Sequence, residues 1–495
     1  MNGESPEQAD KPKIEYDAQV VSPLVNGNAK LTIGENSFTT TALFDATEIS
    51  FSDVNALDLT DYTITIMTDH GDYSFSRMGN WTQPFYDSLC DAYNKAVLRA
   101  LFISGSPIIT VNGDFRLIEK DMNIGSYAVI HVHEECVVAL PPGGGVRRIP
   151  LCFTVGMDKG DYELTLKLIT GESYTFSKLG YDTAHFADMV EKQIRSLREK
   201  ALATIKEIDP ALTTMQSSQI SKLIPEGAAA PLGQISAIAP SFTSAIENKI
   251  SQTRAAGSYN IFKELCHPAQ IWVGFKKNIS AASDSIDASS DLSGILGSLG
   301  GILGADVPSG DEESEPVPPD PYLFWMIAPS PDGQYAAVEF AVQHGESAST
   351  FVYRTGGDFP MFASQLNRAL EAISFKREVI RLTDEELRKP ENADYYMAAK
   401  HTSSLQFIRA NFTGRIIHSS PESWKKNLLR LWNGDASEKA QATNRSGNIQ
   451  PVSASGKEQP VAGPDKPKFC GQCGAKFQYS TKFCVECGAK ISALV

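Results

Sequence analysis

The sequence DYTITIMTDHGDYSFSRMG, residues 61–79, occurs again with small changes at residues 161–180, where it reads DYELTLKLITGESYTFSKLG. Both copies start with Asp-Tyr, and both place a Tyr and a Phe in the same order between two glycines. Apolar and polar residues alternate before the first glycine, which is the pattern of a strand with one buried face. Each copy therefore predicts a β-hairpin that turns at Gly71 or Gly171.

An amphipathic helix is predicted after each hairpin, because the spacing of apolar residues changes from two to about 3.6. In the first copy the apolar positions are Trp81, Phe85, Leu89, Ala92, Ala96 and Leu101. In the second copy they are Phe186, Met189, Val190, Ile194, Leu197, Ala201 and Ile205. A hairpin with a closing helix is thus the repeated unit of this chain.

A fainter third copy lies at residues 335–357, where the run GES at residues 345–347 matches the same run at residues 171–173. This copy contains extra residues, and a helical pattern follows it after Asp358. A segment rich in Ser, Gly, Asp and Pro at residues 279–320 interrupts the third unit, and its composition predicts disorder.

Short strand-like runs also precede the hairpins, for example at residues 28–44 and 126–140. Several strands followed by one closing helix resemble the pleckstrin-homology-like superfold, a bent β-sandwich or barrel that is capped by a C-terminal helix. We therefore expect a multidomain, mainly α+β protein with small β-sandwich or barrel units in tandem. The resemblance implies binding of proteins, peptides or phosphoinositide headgroups, and it implies that catalysis is rare.

A different motif lies near the C-terminus, where residues 468–490 read KFCGQCGAKFQYSTKFCVECGAK. Cys470 and Cys473 form one CxxC pair, and Cys484 and Cys487 form a second. Four thiolates with this spacing can close a tetrahedral shell around one structural Zn²⁺. Because so short a segment buries little apolar surface, metal binding would supply its folding free energy. The double FCxxCGAK motif closely resembles the short zinc ribbon at the termini of many bacterial proteins.

Two other chemistries compete for these four cysteines. A rubredoxin-like site could hold iron with the same set of thiolates. A thioredoxin-like redox pair is disfavoured, because no βαβ pattern surrounds either CxxC pair. Structural zinc is therefore the expected occupant.

Domain boundaries follow from these patterns and from changes in composition. A chain of 495 residues is too long for one hydrophobic core, so several domains are expected. The predicted segments are a disordered N-terminus at 1–14, a first pleckstrin-homology-like unit at 15–105, a second at 106–209, a third and more divergent unit at 213–382 with the disordered insertion 279–320, a helical or mixed basic segment at 383–432, a flexible linker at 433–467 and the zinc ribbon at 468–491.

Composition and charge disfavour several classes of protein. The formal net charge of −14 disfavours broad coating of nucleic acid, and no apolar run approaches the roughly 20 residues that span a bilayer. A secretory signal pattern is absent, and CxxC pairs fit a reducing compartment, so we expect a cytoplasmic protein. The motifs GxxxxGK[ST], GxSxG and HExxH are also absent. We therefore predict no enzymatic activity, no catalytic residue and no small-molecule substrate.

Two groups of basic residues are weaker binding candidates. Arg147 and Arg148, beside the run PPGGG at residues 141–145, could contact anionic lipid headgroups, whereas the first unit offers only Lys30 in the corresponding region. A second group could contact nucleic acid or an acidic partner, or could cover a solvated face. It comprises six basic residues against Glu422: Lys400, Arg409, Arg415, Lys425, Lys426 and Arg430.

In the run HVHEEC at residues 131–136, His131, His133 and Cys136 look like metal ligands. On a single extended strand His131 and His133 share one face, and Cys136 points to the other face. We therefore do not expect these three residues to form a metal site.

The expected function is that of a non-enzymatic cytoplasmic adaptor or scaffold, which binds protein partners through its β units and its zinc ribbon. The first alternative is a zinc-ribbon protein associated with nucleic acid through residues 399–495. The second alternative is an adaptor at an anionic membrane surface, which the small number of clustered basic residues disfavours.

The zinc assignment predicts one Zn²⁺ per chain in metal analysis of the purified protein. Substitution of both Cys470→Ser and Cys484→Ser removes one ligand from each pair and is expected to abolish metal binding. The absorption spectrum supplies the contrary outcome, since a coloured protein that contains iron contradicts the assignment.

Overall fold

The computed structural model describes residues 15–434, apart from residues 44, 104, 120–121, 254, 278–321, 342–348, 376–378 and 419. The predicted N-terminal segment, the insertion, the zinc ribbon and the linker from residue 435 onward lie outside these described residues. The described residues form three β-sheets and the helices that pack on them. None of the helices in those ranges contains an apolar stretch that could span a bilayer.

Seven strands form the first sheet: β1 Glu15–Val21, β2 Asn26–Ile33, β3 Ser37–Thr41, β4 Ala46–Ser50, β5 Val54–Thr60, β6 Thr63–Thr68 and β7 Gly71–Ser76. They pair antiparallel in the order β4-β3-β2-β1-β7-β6-β5. Helix α1, Thr82–Ala100, follows β7 and packs Phe85, Leu89 and Tyr93 into the same core as the sheet. We call these elements together the first unit.

The second sheet repeats this arrangement with β8 Ile109–Glu119, β9 Met122–Val132, β10 Cys136–Leu140, β11 Arg147–Pro150, β12 Thr154–Lys159, β13 Glu163–Leu168 and β14 Ser173–Ser177. Its order, β11-β10-β9-β8-β14-β13-β12, matches that of the first sheet strand for strand. Helix α2, Thr183–Ile208, follows β14 and buries Phe186, Val190 and Leu197. These elements form the second unit.

The sequence repeat corresponds to repeated backbone geometry. After the last strand of each unit a non-glycine residue adopts positive φ, at Arg77 (60°) and at Lys178 (57°). Two residues later Gly79 (57°) and Gly180 (61°) do the same. Because the left-handed region is unfavourable for residues with a side chain, its recurrence at matched positions indicates one shared turn from strand to helix.

Helices separate the second unit from most of the third sheet: α3 Thr214–Leu223, α4 Leu232–Ile238, α5 Pro240–Ser251 and α6 Ala256–Leu265. The third sheet comprises β15 Ala230–Pro231, β16 Trp272–Lys277, β17 Tyr322–Pro329, β18 Tyr335–Ala341, β19 Ser349–Arg354 and β20 Phe412–Ile417, paired in chain order. Helix α7, Phe359–Ala372, follows β19 at the position that the sequence pattern predicts. Asp358 caps it, since its Oδ1 accepts a hydrogen bond from the backbone N–H of Met361 at 3.0 Å.

The third sheet extends beyond the residues that the sequence pattern assigns to a third unit. Its last strand, β20, lies past the predicted boundary at residue 382 and pairs with β19. The segment FTGRII is rich in β-branched and aromatic residues, which favour a strand. Thr413 and Ile416 of this strand are buried. The sequence around β20 does not indicate that it pairs with β19, because its composition only favours a strand.

The C-terminal helices are α8 Asp384–Leu387, α9 Ala393–His401, α10 Ser403–Ala410 and α11 Pro421–Trp432. Helix α11 starts at Pro421 and buries Trp424, Leu428 and Trp432. Leu431 is also buried, whereas Leu429 is exposed.

The β10–β11 hairpin of the second unit is built into the core of the first unit. Its residues Val138, Leu140 and Val146 belong to the same buried cluster as Phe85 of α1. The backbone N–H of Leu57 in β5 donates to the carbonyl oxygen of Gly143 at 2.8 Å. The run PPGGG is therefore part of a contact between the two units, and we call residues 141–146 the interlocking turn.

This turn requires its glycines, because Gly143, Gly144 and Gly145 have φ values of 85°, 102° and 79°. Gly144→Ala places a Cβ in a strained backbone conformation within a buried turn, and we expect a loss of about 1–3 kcal/mol in stability. Thermal unfolding measures the change. The matched control is Gly257→Ala, where an added Cβ meets nothing within 4 Å and α6 should be unaffected or slightly stabilised. Equal melting temperatures for the two variants would contradict the role of the turn.

Candidate functional sites between the second unit and the third sheet

An open groove of about 690 Å³ lies where the second unit, helices α3 and α4, and the third sheet meet. Phe153 and Ile169 contribute from the second unit. The loop between β17 and β18 and the start of α7 line it from the third sheet, the latter with Phe359. Grooves at such junctions are common binding sites, and this volume lies within the range of about 300–1,000 Å³ that is typical of them.

The walls of the groove are mainly apolar and firmly held. The rings of Trp272 and Phe359 meet edge to face with centroids 5.8 Å apart. The side-chain amide of Asn367 is buried and fixes the lining residue Ala229: its Oδ1 accepts from the Ala229 N–H at 2.7 Å, and its Nδ2 donates to the Ala229 carbonyl at 3.0 Å. The groove is therefore preformed by tertiary contacts.

Among the side chains that the structure describes, the charged ones in the groove lining are Lys222 and Asp332. Asp332 accepts hydrogen bonds from the hydroxyl of Ser330 at 2.5 Å and from the backbone N–H of Gln334 at 3.0 Å. The Ser330 hydrogen bond lowers the pKa of Asp332, so this carboxylate is ionised at neutral pH. The groove can thus orient an apolar ligand that also carries polar groups.

A buried ion-pair network joins the second unit to α7. The guanidinium of Arg148 lies 2.5 Å from Glu371 Oε2, and these side chains are 7% and 3% exposed. Arg368 Nε lies 3.4 Å from Glu172 Oε1, and its Nη2 donates to the carbonyl oxygen of Arg148 at 3.1 Å. Burial opposes ionisation of Glu371, but Arg148 holds the pKa of Glu371 below its usual value.

The lipid-contact hypothesis for Arg147 and Arg148 places both on an exposed loop, and their actual position is different. Arg148 is buried and paired with Glu371, and Arg147 is half-buried beside the interlocking turn. Lys30, by contrast, is exposed and pairs with Glu15 at 2.6 Å. Arg148 therefore cannot approach a membrane surface without separation of the second unit from α7.

The basic group at residues 399–432 is partly internal. Lys400 is buried, and its Nζ donates to Asp69 Oδ2 and to the Ser52 carbonyl, each at 2.8 Å. Arg409 is also buried and donates to Asp384 and to two backbone carbonyl oxygens at 2.7 Å each. These two cations stabilise the contacts of the C-terminal helices and are not on the surface.

His401, next to Lys400, is buried as a neutral imidazole against the interlocking turn. Its Nδ1 lies 3.4 Å from the Val146 carbonyl oxygen, which can only accept, so Nδ1 carries the proton. Its Nε2 lies 3.3 Å from the hydroxyl of Tyr93 and accepts from it. Burial, and secondarily the nearby Arg147, lowers the pKa of His401 to about 3.

In the HVHEEC run, alternation along one extended strand does not predict which side chains share a sheet face. The chain reverses after β9, and the cross-strand register pairs His131 with Val138. Directly opposed residues share a sheet face, so Cys136, two residues before Val138, lies on the same face as His131. The expectation that Cys136 points to the other face is therefore wrong. Burial raises the pKa of the Cys136 thiol to about 11, which leaves it protonated and a poor ligand.

The four cysteines of the predicted ribbon, Cys470, Cys473, Cys484 and Cys487, lie outside the described residues. In the part of the chain that the structure describes, no group of three or more His, Cys, Asp or Glu side chains is placed to hold a metal ion. The groove and the arginine network are thus sites that sequence motifs did not reveal. Only PPGGGVRR, with its clustered glycines and arginines, carried a local signal for the second of them.

No family model and no curated protein matches this chain. Among solved structures it is similar to a chain of the "Structure of the Spt16D Pob3N heterodimer", with 10% sequence identity and a TM-score of 0.14. The similarity covers 32% of this chain and 84% of that chain. A TM-score this low carries no argument about function.

The arginine network predicts that removing one partner of a buried ion pair lowers stability much more than removing one partner of an exposed ion pair. Glu371→Gln leaves the buried Arg148 without its counter-charge, and we expect a loss of about 3–5 kcal/mol. The control is Glu191→Gln, which removes the exposed partner of Lys159 and is expected to leave stability almost unchanged. Urea unfolding of both variants measures this, and similar losses would contradict the network's structural role.

His401 predicts a pH dependence of stability. Its folded pKa of about 3 lies below its ordinary value of 6.5, so its stabilising contribution is complete above pH 6.5 and is lost as the pH falls toward 3. Between these values the loss is about 1.4 kcal/mol per pH unit. From pH 6.5 to pH 5 the wild type should therefore lose about 2 kcal/mol more than His401→Gln. Parallel stability curves for the two proteins would refute the assignment.

Proposed function

We propose that this protein is a non-enzymatic adaptor that binds protein partners through its β units and its C-terminal zinc ribbon. The observation that supports it best is the groove of about 690 Å³, whose lining combines aromatic side chains and prolines with few charges. Two seven-stranded antiparallel sheets, each closed by a helix, also fit units of the pleckstrin-homology-like type.

The occupant that best fits the groove is an extended segment of a partner protein with apolar anchor residues. Trp272, Phe359 and Pro360 offer flat apolar surfaces, which in many recognition domains hold extended peptides. Lys222 and Asp332 would fix the direction of the peptide by pairing with its polar groups. Because the walls are already held in place, binding would require little ordering of the adaptor.

The zinc ribbon would provide a second contact. Cys470, Cys473, Cys484 and Cys487 would hold one structural Zn²⁺, and the polar composition of residues 433–467 favours a tether between ribbon and β units. Two linked binding modules raise the effective concentration of the second interaction once the first has formed. The proposed role is therefore to bring two protein partners together.

Association with nucleic acid is a second candidate. The region 465–495 carries five Lys against Asp465 and Glu486, which suits contact with phosphates. Lys400 and Arg409 do not add to this surface, because both are engaged in internal ion pairs. Steeply salt-dependent binding of the full chain to DNA or RNA would favour this candidate over the adaptor.

The groove proposal is tested by affinity purification from the native cell with matched variants. Ile169 lines the groove and is 52% exposed, so Ile169→Asp introduces a charge there without opening a core. Ile417→Asp makes the same change at an exposed position outside the groove lining and serves as the control. We expect Ile169→Asp to lose a set of partners that the control retains. Identical partner sets for both variants and the wild type would contradict a binding role for the groove.

The ribbon is tested in the same experiment with the double variant Cys470→Ser, Cys484→Ser. We expect it to lose partners that differ from those lost by Ile169→Asp, because the two modules are proposed to bind different proteins. Recovery of every wild-type partner by the double variant would count against a recruiting role for the ribbon.

A further inference from the structure

The last described residue, Gly434, lies close to the rim of the groove. A Cβ added at Gly434 would lie 3.1 Å from the hydroxyl oxygen of Tyr335. Tyr335 is the first residue of β18, and its backbone N–H donates to Ser330 Oγ at 2.9 Å. Ser330 and the residues up to Gly333 belong to the loop between β17 and β18, which lines the groove. The chain that follows Gly434 therefore starts beside this loop, separated from it by the Tyr335 side chain.

The segment 278–321, which also lies outside the described residues, leaves the third sheet at the end away from the groove. Lys277, which precedes it, pairs with Tyr322, which follows it. At about 3.3 Å per residue, this pair lies roughly 17 Å along β16 from Trp272, the groove residue at the start of that strand. The chain after Gly434 is thus the better placed of the two segments to enter the groove.

The chain after Gly434 is also long enough to enter the groove. We call residues 435–455 the proximal tether. Its apolar side chains larger than Ala are Ile449, Pro451 and Val452. A coil of the length between Gly434 and Ile449 has an average span of roughly 20 Å. The three apolar residues can therefore pass the loop between β17 and β18 and reach the groove.

The sequence of the proximal tether matches the chemistry of the groove. Ile449 and Pro451 are two positions apart, so an extended backbone would direct both side chains towards the same wall. Gln450 favours such a backbone, because a residue that precedes proline disfavours the helical conformation. The wall offers the aromatic rings of Trp272 and Phe359. Aromatic surfaces of this kind bind extended proline-containing segments in many recognition domains.

The charges agree with the same path of the chain. The exposed residue Asp332 belongs to the loop beside Tyr335, and its carboxylate is ionised at neutral pH. Arg445 precedes Ile449 by four residues. A tether that crosses this loop would therefore bring Arg445 to Asp332 before Ile449 reaches the apolar wall. An exposed ion pair of this kind would fix the direction of the segment more than it would add affinity.

We propose that residues 449–452 of this chain occupy the groove when no partner is bound, and that they compete with partner segments for it. This inference rests on the proposed peptide-binding role of the groove and adds its regulation. Because groove and proximal tether belong to one chain, the effective concentration of the segment is on the order of millimolar. A weak intrinsic affinity then suffices for substantial occupancy, and a partner segment must displace the tether.

Photo-crosslinking in the full-length protein tests the occupant directly. Ile169, which lines the groove and is exposed, is replaced by the photoreactive amino acid p-benzoylphenylalanine. After irradiation and proteolysis, mass spectrometry is expected to find this residue joined to residues 445–455 of the same chain. A crosslink to residues 278–321 in place of the tether overturns the inference, as does the absence of any crosslink to the tether. A tether crosslink that disappears on dilution comes from a second copy and also overturns it.

Two variants of the protein with p-benzoylphenylalanine at position 169 determine whether the contact is specific. Ile449→Asp removes the apolar anchor, and the yield of the tether crosslink should fall by at least about half. The control, Ala442→Asp, introduces the same charge at a small residue of the proximal tether and should leave the yield unchanged. Equal yields in both variants would mean that the tether meets the groove by proximity alone, which contradicts the proposal.

Recovery of partners separates this inference from the proposed function. Because Ile449→Asp frees the groove, it should increase by about twofold or more the recovery of those partners that Ile169→Asp loses. A specific crosslink without any groove-dependent partner supports docking of the tether and refutes the adaptor role of the groove. Groove-dependent partners without a specific crosslink leave the adaptor role standing and refute docking of the tether.

Discussion

The buried ion pair between Arg148 and Glu371 is the contact on which the arrangement of the β units depends. Both side chains are almost completely removed from water, so neither charge is tolerated there without the other. Arg148 belongs to β11 and Glu371 to α7, and the pair therefore fixes the second unit against the third sheet. On the opposite side of the same hairpin, Val146 packs into the core of the first unit. One short stretch of backbone thus connects all three sheets.

A buried ion pair adds little net stability, because desolvation offsets most of the Coulomb attraction, but breaking it leaves a charge buried and unpaired. The network here fits that principle. Arg368 donates to the Arg148 carbonyl and lies beside Glu172, so any other docking of α7 would leave several charges buried and unpaired. The ion pair of Lys400 with Asp69 constrains the contact between α9 and the first unit in the same way. These pairs select one relative placement of the units, and the groove exists because of that placement.

The two repeated units share their topology but use the equivalent hairpin differently. In the first unit the turn between β3 and β4 is exposed, and Leu43 at its tip is 90% accessible to solvent. In the second unit the corresponding turn carries three glycines with positive φ and lies within the contact between the units. The glycines let the backbone approach β5 closely enough for Leu57 to hydrogen-bond Gly143. The difference in this one turn therefore joins the second unit to the first unit.

The sequence by itself determined the local structure of the repeats. Three features depend only on residues that are close in sequence: the alternation at Ile64 and Ile66, the spacing of Phe186 and Val190 in α2, and the Asp358 cap. Their patterns therefore predict strands and helices directly. It also placed four cysteines at zinc-ribbon spacing, although they lie outside the described residues. Only the tertiary structure decided that Cys136 shares a face with His131, that β20 joins β19, and that Arg148 is buried against Glu371. Each of these depends on a partner far along the chain or across a turn, and neither periodicity nor composition specifies which distant residues pair.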